Sequence, residues 1–397
     1  MTESLDSIDQ RRRQELVFRG FSKTDIETLM DYGRHPYSLD TLQPPIQIPM
    51  LDEPHVTAWR FLESINPEDL FGELQKFLPQ LSIPIRHGIS KTELYSDVVR
   101  RGKPFSLESF GDRLTIQEPT ALKLQIRNHY AGALPVLTTS NRSDFESLVR
   151  ATVGRSEPIM IRNSINAQFV IGINNWSRLQ SYYNSFITRS HSGRSDWTDE
   201  IRRISTYEKW RFQDRLILLC EAPYSGLSVE AIEKDMIEDE WLVASTELRC
   251  EHEFIHYLTL RLFGSTRLHL HDELICDWAG VVASLHNFKG AWLKAFLGLS
   301  SDSTLNEGAR FFAYSQGIST SVLPSLCQLT CAAIDGLEML HREYYSESEH
   351  LHFLLTTLGM SLEELASQDS ASRFVALQAK TRELLSFEPS VTSEKAT

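Results

Sequence analysis

Two histidines four residues apart on a helix, with a glutamate directly after the first, can hold a metal ion and activate water beside it. The segment Cys250-Glu251-His252-Glu253-Phe254-Ile255-His256-Tyr257-Leu258 has that arrangement. Residues four apart share a helix face, about 40° apart around the axis, so both imidazoles can reach one zinc ion at about 2.0–2.1 Å. Glu253 lies about 100° further round than His252, beside the ion rather than on it. A base belongs there, where it can take a proton from zinc-activated water.

After sixteen intervening residues beyond His256 comes Glu273-Leu274-Ile275-Cys276-Asp277-Trp278-Ala279-Gly280. Glu273 and Asp277 are again four apart and fall on a second helical pattern. One carboxylate can complete the ligand set while the other accepts a hydrogen bond from the free nitrogen of a ligating histidine, fixing its tautomer. Two histidines and one carboxylate leave the fourth position open, which marks a catalytic rather than a structural zinc site. Without an ion, the cluster would bury like-charged carboxylates at a cost.

These two pieces resemble the gluzincin metallopeptidases, the thermolysin-like clan, whose hallmark is His-Glu-x-x-His followed on a second helix by Glu-x-x-x-Asp. The resemblance covers residues 247–280. It implies His252, His256 and Glu273 as zinc ligands, Glu253 as general base and acid, and Asp277 as the residue that orients a ligating histidine. It further implies a sheet ahead of the active helix, with an edge strand holding an extended peptide; Arg215 to Cys220 is a candidate strand of that sheet. Enzymes of this kind stabilise the oxyanion with a downstream Tyr, His or Arg. Tyr314, His341, Arg342, Tyr344 and Tyr345 are available, and Tyr314 and His341 stand as the catalytic candidates. The chain departs from the clan's aminopeptidases in lacking a Gly-x-Met-Glu-Asn segment. Thr259 and Leu262 occupy the positions where a metzincin needs Gly and His.

The elements that must position these residues follow from periodicity and punctuation. Helices are expected at Gln10 to Phe21, Pro67 to Phe77, Ser245 to Phe263, Leu270 to Leu285, Ala291 to Leu297, Leu305 to Ser315, Pro324 to Tyr344 and Glu349 to Thr357. Gly264 suits a helix C-terminal cap. Pro158 to Ile161, Gln168 to Ile173 and Arg215 to Cys220 read as strands. Leu42 to Pro54 and the Ser-rich run Ser190 to Asp199 read as loops, and the last dozen residues as a frayed end. Trp278 is expected to pack the second helix onto the first, and His269 and His271 to lie on the surface. The fold class is α+β, in three regions: a mostly helical 1–105, a mixed 106–236 supplying the sheet, and a helical zinc-binding 237–397.

Composition narrows the partners. The 397 residues carry 40 Lys+Arg against 53 Asp+Glu, a formal charge of −13, which argues against a nucleic-acid binder. No apolar run approaches membrane-spanning length, and the polar N-terminus lacks a secretory pattern. Five scattered cysteines fit buried thiols in a reduced, cytoplasmic protein rather than a disulfide framework. Neither a phosphate-binding glycine loop nor a Gly-x-Ser-x-Gly elbow occurs. The expectation is a zinc-dependent hydrolase cutting an amide bond in a peptide. The alternatives are a zinc-dependent tailoring enzyme for a small molecule or short peptide, and a non-catalytic zinc scaffold.

Overall fold

The computed structural model describes residues 5–387 apart from 35, 105–106, 191–193, 233–235 and 301. The fold is α+β, with 60% helix and 9% strand. It divides into two compact units, Leu51–Ala222 and Met1–Met50 with Pro223–Thr397. These do not follow the expected boundaries near 105 and 236, because the first helices belong with the C-terminal half. Helix Leu5–Phe18 sends Arg12 to Glu363 at 3.0 Å and Arg11 to Glu364 at 2.9 Å. Those charge pairs join residues about 350 apart in sequence, beyond the reach of local patterning.

Six strands occur among the described residues: β1 (Ile46–Ile48), β2 (Lys123–Arg127), β3 (Leu134–Thr139), β4 (Ala167–Asn174), β5 (Gln213–Cys220) and β6 (Leu385–Phe387). Within Leu51–Ala222 the sheet order is β2-β3-β5-β4, with β3 and β5 parallel and both edge strands antiparallel to their neighbours. Central β5 reads Leu216-Ile217-Leu218-Leu219-Cys220, all buried, as a strand covered on both faces requires. Edge strand β2 instead alternates, with Leu124 and Ile126 buried between more exposed neighbours. Helices His55–Glu63, Pro67–Phe77 and Arg142–Thr152 cover the sheet through Trp59, Leu74, Phe145 and Leu148.

Several expectations need correction. Pro158 to Ile161 is not a strand: Met160 is 92% exposed, and the two residues at positive φ just before it, Arg155 and Ser156, turn the chain. The Ser-rich run expected as a loop enters helix Arg194–Tyr207; its residues 191–193 lie outside the described residues. Within Leu42 to Pro54, β1 pairs in parallel with β6. The frayed end lies outside the described residues beyond 387.

In the other unit, helix Glu238–Phe263 ends at Gly264, whose φ of 66° gives the expected left-handed cap. Six residues later helix Leu270–Leu285 begins. The two helices run antiparallel: Leu248 meets Gly280, His252 meets Asp277, and His256 meets Glu273. Gly280 lets the backbones approach, since a Cβ there would come within 2.6 Å of the Leu248 carbonyl oxygen. Between residues 305 and 315 only Phe311–Tyr314 is helical. Upstream, Leu305 bridges to Leu299 and Gly308 takes a φ of 74°, so the chain stays looped.

Candidate metal centre

Helix Glu238–Phe263 starts on Glu238, Asp239 and Glu240, which suit the positive end of its dipole. Its middle is buried nearly all round, with Cys250, Phe254, Ile255, Tyr257 and Leu258 packed into the interior. His252, Glu253 and His256 are thereby carried into the interior at 5%, 8% and 6% exposure. Glu273 and Asp277 on the second helix are buried at 1% and 0%.

The side chains converge as the spacing requires. His252 Nε2 lies 3.3 Å from Glu273 Oε2, and His256 Nε2 lies 3.6 Å from Glu273 Oε1. Each imidazole is anchored by its other nitrogen. His252 Nδ1 donates to Asp277 Oδ1 at 2.7 Å. His256 Nδ1 has Thr266 Oγ1 at 3.2 Å and Cys276 Sγ at 3.7 Å. A ring protonated at Nδ1 alone would turn its Nε2 lone pair toward the Glu273 carboxylate, an arrangement that suits a cation between them. Ligand atoms about 2.0–2.1 Å from a tetrahedral ion stand about 3.3–3.4 Å apart, close to the spacing seen. Glu273 Oε1 is buried and has no hydrogen-bond partner among the described residues. The donor set could therefore hold a metal ion.

His252, His256 and Cys276 also place one donor atom each within 4.8 Å of one another. Cys276, however, meets His256 on its Nδ1 side, and the two ring nitrogens diverge too far to share one ion. Burial pushes its thiol well above the ordinary range, with Glu273 adding to the effect, so it stays protonated. Glu273 is the better third ligand on geometry.

Arg310, which the sequence reading missed, sits between the two carboxylates. Its Nη2 is 3.1 Å from Glu273 Oε2 and 3.1 Å from Asp277 Oδ1, and its Nη1 is 2.9 Å from Asp277 Oδ2. Tyr224, also missed, donates to Asp277 Oδ1 at 2.5 Å and accepts from Arg310 at 3.1 Å. The expected cost of burying two carboxylates is thus partly relieved by a guanidinium. Burial works against the charge on Glu273, but the two histidines outweigh it and hold the group well below the usual range. Burial likewise opposes charge on His252, and the hydrogen bonds it donates to Asp277 and Glu273 overcome this, raising it to about 10.

Tyr314 belongs to this cluster, since its hydroxyl accepts from Arg310 Nε at 2.6 Å. His341 does not. Its Nδ1 accepts from Trp278 Nε1 at 3.3 Å, and its ring stacks on Tyr345 with centroids 4.4 Å apart. Burial holds it near 4. Trp278 itself packs on His341, His350 and Phe353. One residue on from Asp277 is about 100° around the helix, which aims Trp278 elsewhere. His271 is another correction: it is 5% exposed in the second helix, and burial lowers it to about 4. His269 stacks half-buried on Tyr32.

Helix pair and cluster describe a candidate metal-binding protein of α+β class. The chain matches, over residues 14–369, the model described as a family of unknown function (DUF7005), and it belongs to that family. No curated protein and no solved structure matches it. Among the described residues, no helix is long and apolar enough to cross a membrane.

Proposed function

We propose that this chain is a zinc-dependent hydrolase, a metallopeptidase-like enzyme acting on an amide bond of a peptide or on a small molecule. The observation that carries the reading is the convergence of two Nδ1-anchored imidazoles, through their Nε2 atoms, on the buried Glu273 carboxylate. His252, His256 and Glu273 would hold the ion. Zinc bound there would polarise a substrate carbonyl and acidify water. Glu253, beside His252 on the same helix, would take the proton from water and return it to the leaving amine. Asp277 fixes the His252 tautomer, and Tyr314, held by Arg310, is the remaining candidate near the reacting carbonyl. The motif-level resemblance to the gluzincins supports the same assignment. Five buried cysteines, none in a disulfide among the described residues, support a cytoplasmic setting.

A second reading has its own observation. Arg310 pairs with both Glu273 and Asp277, and His252 lies against the same two carboxylates, as in a purely structural ion-pair core. Metal analysis of the purified protein separates the two. The expected result is about one zinc per chain, lost in His252→Ala and Glu273→Ala, while Glu253→Gln keeps its zinc and loses at least about 100-fold in peptide turnover. A protein that takes up no metal even after incubation with zinc belongs to the second reading.

A further inference from the structure

Glu273 presents its two oxygens to different groups. Oε2 is engaged by Arg310 Nη2 at 3.1 Å and also has His252 Nε2 at 3.3 Å, whereas Oε1 is buried, has no hydrogen-bond partner among the described residues and faces His256 Nε2 at 3.6 Å. The guanidinium cannot drift from this position. Its Nε is fixed by the Tyr314 hydroxyl at 2.6 Å, its Nη1 by Asp277 Oδ2 at 2.9 Å and by Tyr224 at 3.1 Å. Arg310 is buried with them, its side chain 11% exposed. A carboxylate free at both oxygens can swing between one-oxygen and two-oxygen coordination, and the two-oxygen form uses up a position on the ion.

We infer that Arg310 is a positioning residue that occupies Glu273 Oε2, confines metal ligation by Glu273 to Oε1, and so keeps one coordination position open for water or substrate. This rests on the zinc reading above. Three features of arginine make it suited to the task. It stays charged, its planar fork addresses both carboxylates at once, and it donates to two tyrosine hydroxyls without rearranging. Lysine, a single flexible point charge, can keep the charge but not the geometry. The same contacts tie Asp277, and through it the His252 tautomer, to the orientation of Glu273.

Cobalt(II) substitution tests this without a substrate. Cobalt in a four-coordinate site absorbs more strongly in the visible than in a five- or six-coordinate one. The cobalt forms of wild type, Arg310→Lys and Arg310→Gln are compared by absorption and by competition with a chelator. The expected result is weaker visible absorption and about 10–100-fold weaker metal binding in Arg310→Lys, with Arg310→Gln at least as affected. If Arg310→Gln fails to fold, the lysine variant, which keeps the buried charge, still gives the readout. Wild-type absorption and affinity in a folded Arg310→Lys would overturn the inference while leaving the zinc reading standing. A wild type that binds neither cobalt nor zinc would overturn the zinc reading itself.

Discussion

Gly280 lies where helices Glu238–Phe263 and Leu270–Leu285 come closest, three residues beyond Asp277 and facing Leu248, four residues before His252. Helix propensity alone favours Gly280→Ala by about 1 kcal/mol. The packing says the opposite. The added Cβ would stand 2.6 Å from the Leu248 carbonyl oxygen, 3.0 Å from its Cδ2 and 3.1 Å from its Cγ. Leu248 could rotate its side chain, but the carbonyl belongs to the helix and cannot. Reaching ordinary van der Waals separation requires the helices to part by about 0.8 Å. Overpacking of this kind costs about 1–3 kcal/mol, so the variant should be less stable by roughly 0–2 kcal/mol after the propensity gain. The larger effect falls on the proposed metal site, because His252 and His256 sit on one helix and Glu273 on the other. Ligand distances tolerate only about 0.2 Å, so zinc affinity should drop by at least about 10-fold. Urea unfolding of the chelated protein and a zinc competition titration measure the two effects separately. A Gly280→Ala protein more stable than wild type, with unaltered zinc affinity, would refute the claim that backbone contact at this glycine sets the spacing of the ligands.

Two further predictions concern the unit Leu51–Ala222. Asp214 is fully buried and accepts from Trp59 Nε1 at 2.9 Å, Asn175 Nδ2 at 2.7 Å and the Arg178 guanidinium. Asp214→Asn leaves that guanidinium without its carboxylate and should cost about 3–5 kcal/mol in denaturant unfolding, with zinc content per folded chain unchanged; a loss under about 1 kcal/mol would show the pair to be dispensable. His55 is buried, and burial lowers it to about 4 against an ordinary 6.5, outweighing the pull of Asp214 and Glu53. Because the unfolded chain takes up this proton first, the neutral imidazole's contribution is complete above about pH 6.5, is lost as pH falls, and is gone below about 4, an amplitude of about 3 kcal/mol. Stability measured against pH should therefore fall more steeply for wild type than for His55→Gln across that window, and parallel curves would rule the effect out.

The parts of this protein that were legible from sequence are those whose geometry is local. Helix Leu270–Leu285 appears with its expected ends, and Gly264 closes the first helix where anticipated. The four-residue spacings of His252 with His256 and Glu273 with Asp277 survive as a single cluster because a helix converts spacing into facing. What was missed is non-local. Tyr224 reaches His252 and Asp277 from a turn 28 residues before the first helix's histidine. Arg12 finds Glu363 across 351 residues and pulls the N-terminal helices into the C-terminal unit. His341 was drawn into the site on residue type alone, whereas a neighbour one position from Asp277 had already turned toward a different face.

Arg310 lies between these cases. Its contact with Asp277, 33 residues away through a loop, follows from no periodicity. Yet burying Glu273 and Asp277 together creates a demand for a cation that the sequence does state. Between Arg267 and Arg342 the chain has one arginine, Arg310, and two lysines, Lys289 and Lys294. Lysine seldom serves two buried carboxylates, since a compact and strongly hydrated ammonium loses more on burial than a guanidinium does. Lys294 pairs instead with Asp335, and Lys289 lies over the Trp292 ring. The charge requirement therefore singles out Arg310 even though its position in space could not have been read. The residue that answers that requirement also holds Oε2 of Glu273 at 3.1 Å.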